Sequence, residues 1–224
     1  GHINPYLTNE PLADKRMPDI LRLLRKKNPF TKTKINSNAQ LLTEETGRKL
    51  LKSGLSQLWF SVNGYSEETY RASMNLDFQT TMRNIDAFLK LKKESGARRP
   101  SIKITTLRTK LVEHELEGAK AYWAERGLPF SIHHMDNRAG TAAEGISPVQ
   151  HILKRNCDLF LKQAYIVENG DMILCCHDWR QSVVLGNVDK TSIKEVWNSA
   201  YFLDRIYEYY AGEFDNIEIC RNCG

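Results

Sequence analysis

The first two thirds of the chain alternate between short apolar runs and longer amphipathic segments, and this alternation constrains the fold most strongly. Short runs rich in apolar and β-branched residues predict strands, whereas apolar residues spaced three or four apart predict helices. Strands that alternate with helices form a parallel sheet with the helices packed outside it. The predicted strands are 3–7, 32–36, 58–62, 101–107 and 129–134, and the predicted helices are 14–27, 43–53, a short helix capped by Ser66, 78–95 and 113–126.

These repeating units end near residue 134, well short of the roughly 250 residues that a complete eight-stranded barrel needs. The sheet is therefore either an open, partial barrel or a doubly wound sheet, and the residues alone favour neither arrangement. The fold class is α/β in both cases.

A change of composition separates the last third of the chain from the repeating part. Residues 137–149 are small, polar and rich in turn-forming residues, which predicts a loop or linker. We therefore expect two domains, the parallel-sheet domain over 1–140 and a smaller α+β domain over 141–224.

The smaller domain is predicted to contain a β-hairpin and a helix. Two apolar runs flank Asn169-Gly170, a dipeptide typical of hairpin turns. Ser192 and Glu195 have the spacing of a capping box, which opens a helix whose apolar positions continue to Ile206.

All five cysteines lie in this smaller domain, as Cys157, an adjacent Cys175-Cys176 pair, and a final Cys220-x-x-Cys223. Two thiolates at the last spacing grip one metal centre, because a tight turn brings both sulfurs to the same side. Four sulfurs, those of Cys157, Cys175, Cys220 and Cys223, suit either a tetrahedral zinc or an iron–sulfur cluster, and spacing does not separate the two. A reversible redox pair of Cys220 and Cys223 is the third interpretation.

Several further landmarks occur in order between these cysteines. They are Gly170-x4-Cys175, the Leu-Gly-Asn-Val sequence that ends at Val188, and Ser192-Ile-x-Glu-Val-Trp-Asn198. From Cys157 to Gly224 this order resembles the auxiliary-cluster region of radical S-adenosylmethionine (SAM) enzymes with SPASM or twitch domains. The resemblance implies one auxiliary [4Fe–4S] cluster held by Cys157, Cys175, Cys220 and Cys223, as in the twitch form.

The parallel-sheet domain resembles, more loosely, the partial (β/α) barrel of the same enzymes without its first βα unit. Three short segments resemble motifs that follow its strands: Asn9-Glu10-Pro11, with Asn9 in place of a glycine, Ser37-Asn38, and Ser61-Val-Asn-Gly64, with Asn63 in place of an acid. All three are predicted at carboxyl ends of strands, where barrel sites are built. The resemblance implies that these segments bind SAM, with Glu10 at its amino group and Ser61 and Arg71 at its carboxylate.

The resemblance implies a radical SAM oxidoreductase or modifying enzyme. Hydrogen is then abstracted from a peptide, amino-sugar or cyclitol substrate, the auxiliary cluster takes an electron, and a flavodoxin or ferredoxin is the electron donor. The alternative, of a different class, is a non-catalytic binding module stabilised by zinc or by a cluster.

Cys176 directly follows Cys175 and, on a strand, points to the opposite face. We interpret it either as a packed thiol or as a catalytic hydrogen-atom donor or alternative ligand beside the cluster. His177 and Asp178 are expected either to tune the cluster by hydrogen bonds or to form a plain turn.

Charge and hydropathy limit the partners. A net charge of +5 is that of a well-solvated surface, so nucleic acid is not an expected partner. No apolar run is long enough to cross a bilayer, and no signal-peptide pattern occurs, so we expect a cytoplasmic protein without a membrane partner.

The family's CxxxCxxC motif, which binds the SAM-cleaving cluster, does not occur in these 224 residues. We therefore interpret the chain as a fragment that is inactive by itself, and we expect it to form no 5′-deoxyadenosine from SAM under reducing conditions. Anaerobic incubation followed by chromatography checks this expectation, and 5′-deoxyadenosine above the level of a protein-free control would contradict it.

Overall fold

The structure, a computed structural model, describes residues 1–139, 157–221 and 223. These residues form two units, Gly1–Met135 and Asp136–Gly224. The domain boundary predicted at 140/141 and most of the predicted linker lie outside the described residues. No helix within the described ranges is both long and apolar enough to span a bilayer.

The first unit is built on one sheet with helices between its strands. The strands are β1 His2–Ile3, β2 Lys32–Ser37, β3 Gln57–Ser61, β4 Ser101–Arg108 and β5 Phe130–His134. The helices are α1 Met17–Lys27, α2 Glu44–Leu51, α3 Glu67–Met74, α4 Phe78–Glu94 and α5 Leu116–Glu125. Two short 3-10 turns, Pro11–Ala13 and Glu113–Glu115, precede α1 and α5.

Every strand of this sheet is parallel to its neighbours, and the strand order β1-β2-β3-β4-β5 follows the chain. A doubly wound sheet reverses its strand order at a switch point, whereas a barrel adds each strand on the same side. Of the two arrangements that the sequence left possible, the strand order is that of a partial (β/α) barrel. The predicted α/β fold class is confirmed.

The helix starts follow from side chains that satisfy the first unpaired N–H groups. Thr43 Oγ1 accepts a hydrogen bond from Thr46 N at 3.1 Å, and Ser66 Oγ accepts one from Thr69 N at 3.2 Å. The cap at Ser66 was predicted from the sequence, and the structure confirms it.

The two faces of the sheet differ in burial. On β3, Leu58 and Phe60 are fully buried on the face that the helices cover, whereas Trp59 and Ser61, which alternate with them, stay partly accessible. The sheet therefore has one apolar face and one polar face within this unit.

Within its described residues, the second unit contains a small antiparallel sheet, four α-helices and a 3-10 turn at Phe214–Asn216. The strands, in the order β6-β7-β8, are β6 Tyr165–Ile166, β7 Asp171–Ile173 and β8 Val184–Asn187. The helices are α6 Leu159–Lys162, α7 Ile193–Trp197, α8 Ala200–Ala211 and α9 Glu218–Arg221.

The predicted hairpin is confirmed as β6 and β7. Its turn places Gly170 at φ +84°, a backbone conformation that L side chains rarely adopt. Gly170 N donates to Val167 O at 3.0 Å, which closes the turn. The third strand, β8, was not predicted.

The predicted single helix from Ser192 to Ile206 is wrong in one respect, because it is two helices. The capping box of Ser192 and Glu195 is present and opens α7, but α7 ends after five residues. Ser199 then caps α8 by accepting a hydrogen bond from Phe202 N at 3.2 Å. A second capping side chain offers the backbone an alternative to continuing the first helix.

Close backbone packing at Gly64 gives a test of the barrel unit. A Cβ at Gly64 would lie 2.6 Å from the backbone nitrogen of Tyr70 at the start of α3. We expect Gly64→Ala to lower the free energy of unfolding by about 1–3 kcal/mol, because backbone atoms must move to accept it. Urea denaturation followed by circular dichroism measures this change.

The matched control is Gly118→Ala on α5, where an added Cβ would have nothing within 4 Å. For Gly118→Ala we expect the free energy of unfolding to rise by about 0.5–1 kcal/mol, because alanine has a higher helix propensity than glycine. Equal effects of the two substitutions would contradict the packing described at Gly64.

Candidate functional site

Four cysteines from three regions of the chain line one cavity in the second unit. Cys157 precedes α6, Cys175 lies two residues beyond β7, Cys220 is on α9, and Cys223 follows that helix. None of the five cysteines, all within the described ranges, forms a disulfide. The other lining residues are one imidazole and several apolar side chains: His177, Phe160, Leu174, Tyr209, Phe214 and Ile219.

Cys175 is positioned by a turn that the buried Asp178 carboxylate closes. Asp178 N donates to Cys175 O at 3.0 Å, and His177 N donates to Cys175 Sγ at 3.5 Å. The Asp178 carboxylate accepts hydrogen bonds from Ser182 N at 2.8 Å and from Val183 N at 2.8 Å. Asp178 therefore supports the loop around Cys175 rather than facing the cavity.

The final cysteine pair sits on and just after a helical turn. Cys220 N donates to Ile217 O at 2.8 Å, and Cys223 N donates to Cys220 O at 3.3 Å. Ile217 is almost completely buried, so it anchors this end of the chain in the core of the unit. Both cysteines consequently line the same side of the cavity.

His177 lies between one of these thiols and a carboxylate. Its Nδ1 is 3.9 Å from Cys223 Sγ, and its Nε2 is 3.4 Å from Asp136 Oδ2. A hydrogen bond with the Cys176 thiol, and then the contact with Cys223, raises the pKa of His177 to about 10. His177 therefore places an imidazole beside the Cys223 thiol, within hydrogen-bonding reach of it.

The sequence analysis considered Cys176 as a strand residue that faces away from Cys175. In the structure, Cys176 does not lie on a strand. It lies in the turn that follows β7, where its thiol hydrogen-bonds to the thiol of Cys175. That hydrogen bond raises the pKa of Cys175 and lowers the pKa of Cys176. A fifth ligand would have to line the cavity with the other four cysteines, and Cys176 does not line it.

The donor set fits an iron–sulfur cluster. Iron–sulfur clusters are bound by cysteine thiolates, and the cation itself keeps its ligands ionised. Within the described ranges, no group of three or more His, Cys, Asp or Glu side chains is gathered for a single metal ion.

Three of the residues predicted to bind SAM come together where β2 ends. The Glu10 carboxylate accepts hydrogen bonds from Ser37 Oγ at 2.7 Å, Asn38 N at 2.8 Å and Leu12 N at 3.0 Å. Pro11 begins the 3-10 turn that Glu10 caps. Glu10 therefore ties the segment after β1 to the end of β2.

The other predicted SAM residues lie apart from this contact. Ser61, at the end of β3, donates from Oγ to Asn36 Oδ1 at 3.0 Å, and Asn9 Oδ1 accepts from Leu7 N at 3.2 Å. Arg71 is exposed on α3 and lines a shallow pocket with Gln40, Asn75, Leu76 and Asp77.

Sequence reasoning missed two features of these sites. Asp136 holds the far side of the His177 imidazole, a long-range pairing without a local signal. On the polar face of the sheet, Lys34 and Lys103 contact the Trp59 ring, and the alternation within β3 could have indicated that face.

Comparison with known proteins gives one family match and several structural matches. Residues 157–224 match the SPASM iron-sulfur cluster-binding domain. No curated protein matches the sequence at a significant level.

Three solved structures illustrate the structural similarity. BtrN in complex with AdoMet and 2-DOIA is 16% identical, with 100% of this chain and 72% of BtrN covered and a TM-score of 0.64. The structure of anSMEcpe with bound AdoMet is 14% identical, with 99% of this chain and 71% of anSMEcpe covered and a TM-score of 0.67. Streptococcus suis SuiB bound to precursor peptide SuiA is 14% identical, with 92% of this chain and 55% of SuiB covered and a TM-score of 0.72.

These identities are low, so the structural matches establish a shared fold. The segment match adds the cysteine-bearing region. Residues 157–224 therefore match the SPASM iron–sulfur cluster-binding domain, and the chain as a whole shares its fold with BtrN, anSMEcpe and SuiB.

Proposed function

We propose that this chain is part of a radical SAM modifying enzyme and that Cys157, Cys175, Cys220 and Cys223 hold one auxiliary [4Fe–4S] cluster. The observation that carries the proposal is the convergence of these four cysteines on one cavity. The match of the same segment to a cluster-binding domain supports it.

The residues around the cavity have separable roles in this proposal. A cluster bound by four thiolates supplies one-electron redox chemistry and has no open position for substrate. The apolar side chains of Phe160 and Ile219 exclude water from the cavity, and His177 donates a hydrogen bond toward Cys223. Such hydrogen bonds to ligand sulfurs are among the features that set a cluster's potential.

The SAM site is proposed at the carboxyl edge of the sheet, around Glu10. An ionised carboxylate has about four acceptor positions, and three are used by Ser37, Asn38 and Leu12. One position remains for the amino group of SAM. Ser61 and Arg71 are the proposed contacts of its carboxylate, and Asn9 and Pro11 shape the adjoining segment.

The proposed substrate is a peptide or a small polar molecule, from which hydrogen is abstracted. Structures of similar fold support both classes, because SuiB is bound to a precursor peptide and BtrN is in complex with 2-DOIA. We propose the domain division 1–140 and 141–224, a flavodoxin or ferredoxin as electron donor, and a cytoplasmic location.

Metal content tests the proposal directly. After anaerobic purification and reconstitution, we expect about four irons and about four sulfides per chain, with the broad visible absorption of a cluster. Alanine in place of Cys157, Cys175, Cys220 or Cys223 should remove most of this absorption, because each thiolate is a ligand.

The matched control is Cys176→Ala, which removes the neighbouring thiol outside the cavity and should leave the iron content unchanged. Far-ultraviolet circular dichroism reports whether each variant keeps its helices and strands. One zinc per chain with no iron would contradict the proposal, as would loss of the cluster in Cys176→Ala but not in Cys175→Ala.

The contact between His177 and Cys223 predicts an effect on the cluster potential. A donor to a ligand sulfur favours the more negative, reduced state, so His177→Leu should lower the reduction potential. His177→Gln keeps an N–H donor and should restore part of the difference. Spectroelectrochemical titration measures both values, and an unchanged potential in His177→Leu would show that the contact has no such role.

A further inference from the structure

Trp59 stands at the centre of a polar group of side chains on the face of the sheet that the helices do not cover. Its neighbours along β3, Leu58 and Phe60, are fully buried on the other face. Asn36 on β2 and Lys103 on β4 are paired in register with Trp59. Registered residues of neighbouring strands project on the same face, so these three side chains lie side by side.

Two ammonium groups contact the indole ring of Trp59. Lys34 Nζ is 4.2 Å from the ring centroid, and Lys103 Nζ is 4.4 Å from it. Each contact is favourable as a cation–π interaction, but together they hold two like charges close to one another. Burial, and then Lys103, lowers the pKa of Lys34 accordingly.

A third titratable group lies near this positive charge. His133 is the penultimate residue of β5, and burial, then Lys103, then Lys34 lowers the pKa of its imidazole. In the described part of the chain, neither Lys34 nor Lys103 forms an ion pair with a carboxylate. Among the described residues, the face therefore carries an excess of positive charge that no ion-paired carboxylate neutralises.

Neutral hydrogen-bonding groups adjoin the two lysines. Ser61 Oγ donates to Asn36 Oδ1 at 3.0 Å, which fixes the orientation of the Asn36 amide. The amide nitrogen of Asn36 then remains as a hydrogen-bond donor on the face that carries the lysines. Two cations and an amide N–H beside an aromatic ring are the groups that bind an oxyanion.

We propose that Lys34 and Lys103 bind an oxyanion, a carboxylate or a phosphate, carried by the substrate, with Trp59 between them. The assignment of this oxyanion to the substrate rests on the proposed function. The binding of an oxyanion by the two lysines does not depend on that function. A substrate with an acidic or phosphorylated group is thereby selected over a neutral one.

A purely structural role of the lysines makes a different prediction. Lysine stems often cover apolar rings while the ammonium reaches water. Methionine has an unbranched apolar chain that can cover the ring equally well but carries no charge. The double variant Lys34→Met/Lys103→Met therefore removes anion binding while keeping the cover, and Lys34→Arg/Lys103→Arg keeps both.

Anion binding is measured by nuclear magnetic resonance on the indole N–H of Trp59, assigned with a Trp59→Phe variant. The probes are inorganic phosphate and N-acetylglutamate amide, and the neutral control is N-acetylglutamine amide, all at constant ionic strength. We expect a saturable shift with at least one oxyanion and none with the glutamine compound. The tighter of the two oxyanions identifies the source as phosphorylated or acidic.

The double methionine variant should weaken this binding about tenfold or more, as expected for losing hydrogen bonds from charged donors. The double arginine variant should retain it. The inference would be overturned if neither oxyanion gave a saturable shift, or if the double methionine variant bound the oxyanion as tightly as the parent chain.

A cluster-free protein separates this inference from the proposed function. The Cys175→Ala chain should bind the oxyanion as the parent does, because all the groups involved belong to the first unit. Oxyanion binding without any iron in the reconstituted parent would contradict the proposed function alone. A normal cluster without oxyanion binding would contradict this inference alone.

Discussion

Bringing thiols from three separated regions of the chain to one cavity requires each intervening element of the second unit to be held in place. The hairpin delivers Cys175, and the buried Asp178 carboxylate fixes the loop that follows it. The final pair is anchored by the buried Ile217. A unit this small has a limited apolar core, so the proposed metal centre, by crosslinking these regions, would add stability that packing alone does not supply.

The first unit positions its polar side chains by a different constraint, the common direction of its five strands. Because all carboxyl ends lie at one edge, Glu10 can accept hydrogen bonds from Ser37 and Asn38 across two strands. The polar face below that edge carries Lys34 and Lys103. A SAM site at the edge and a substrate contact on the face are therefore compatible with one sheet.

Features with local signals could be predicted from the sequence. The helix caps at Thr43 and Ser66 depend on side chains three residues from the groups that they satisfy, and the hairpin depends on its own turn residues. β8 could not be predicted, because its four residues become a strand only by pairing with β7.

The same distinction applies to the candidate site. The four cysteines were identifiable by spacing and context, and the structure places them around one cavity. Cys176 was considered as a strand residue, but β7 ends at Ile173 and Cys176 lies in the turn beyond it. The break between α7 and α8 was missed because apolar residues keep helical spacing across Ser199.

The central claim is that four thiolates hold a polynuclear iron–sulfur cluster, and Mössbauer spectroscopy of the chain reconstituted with 57Fe tests it most directly. The account predicts that most of the iron gives the diamagnetic signature of an oxidised [4Fe–4S] cluster, at one cluster per chain. A spectrum of mononuclear iron bound by four thiolates would contradict the account, as would a protein that takes up zinc and excludes iron.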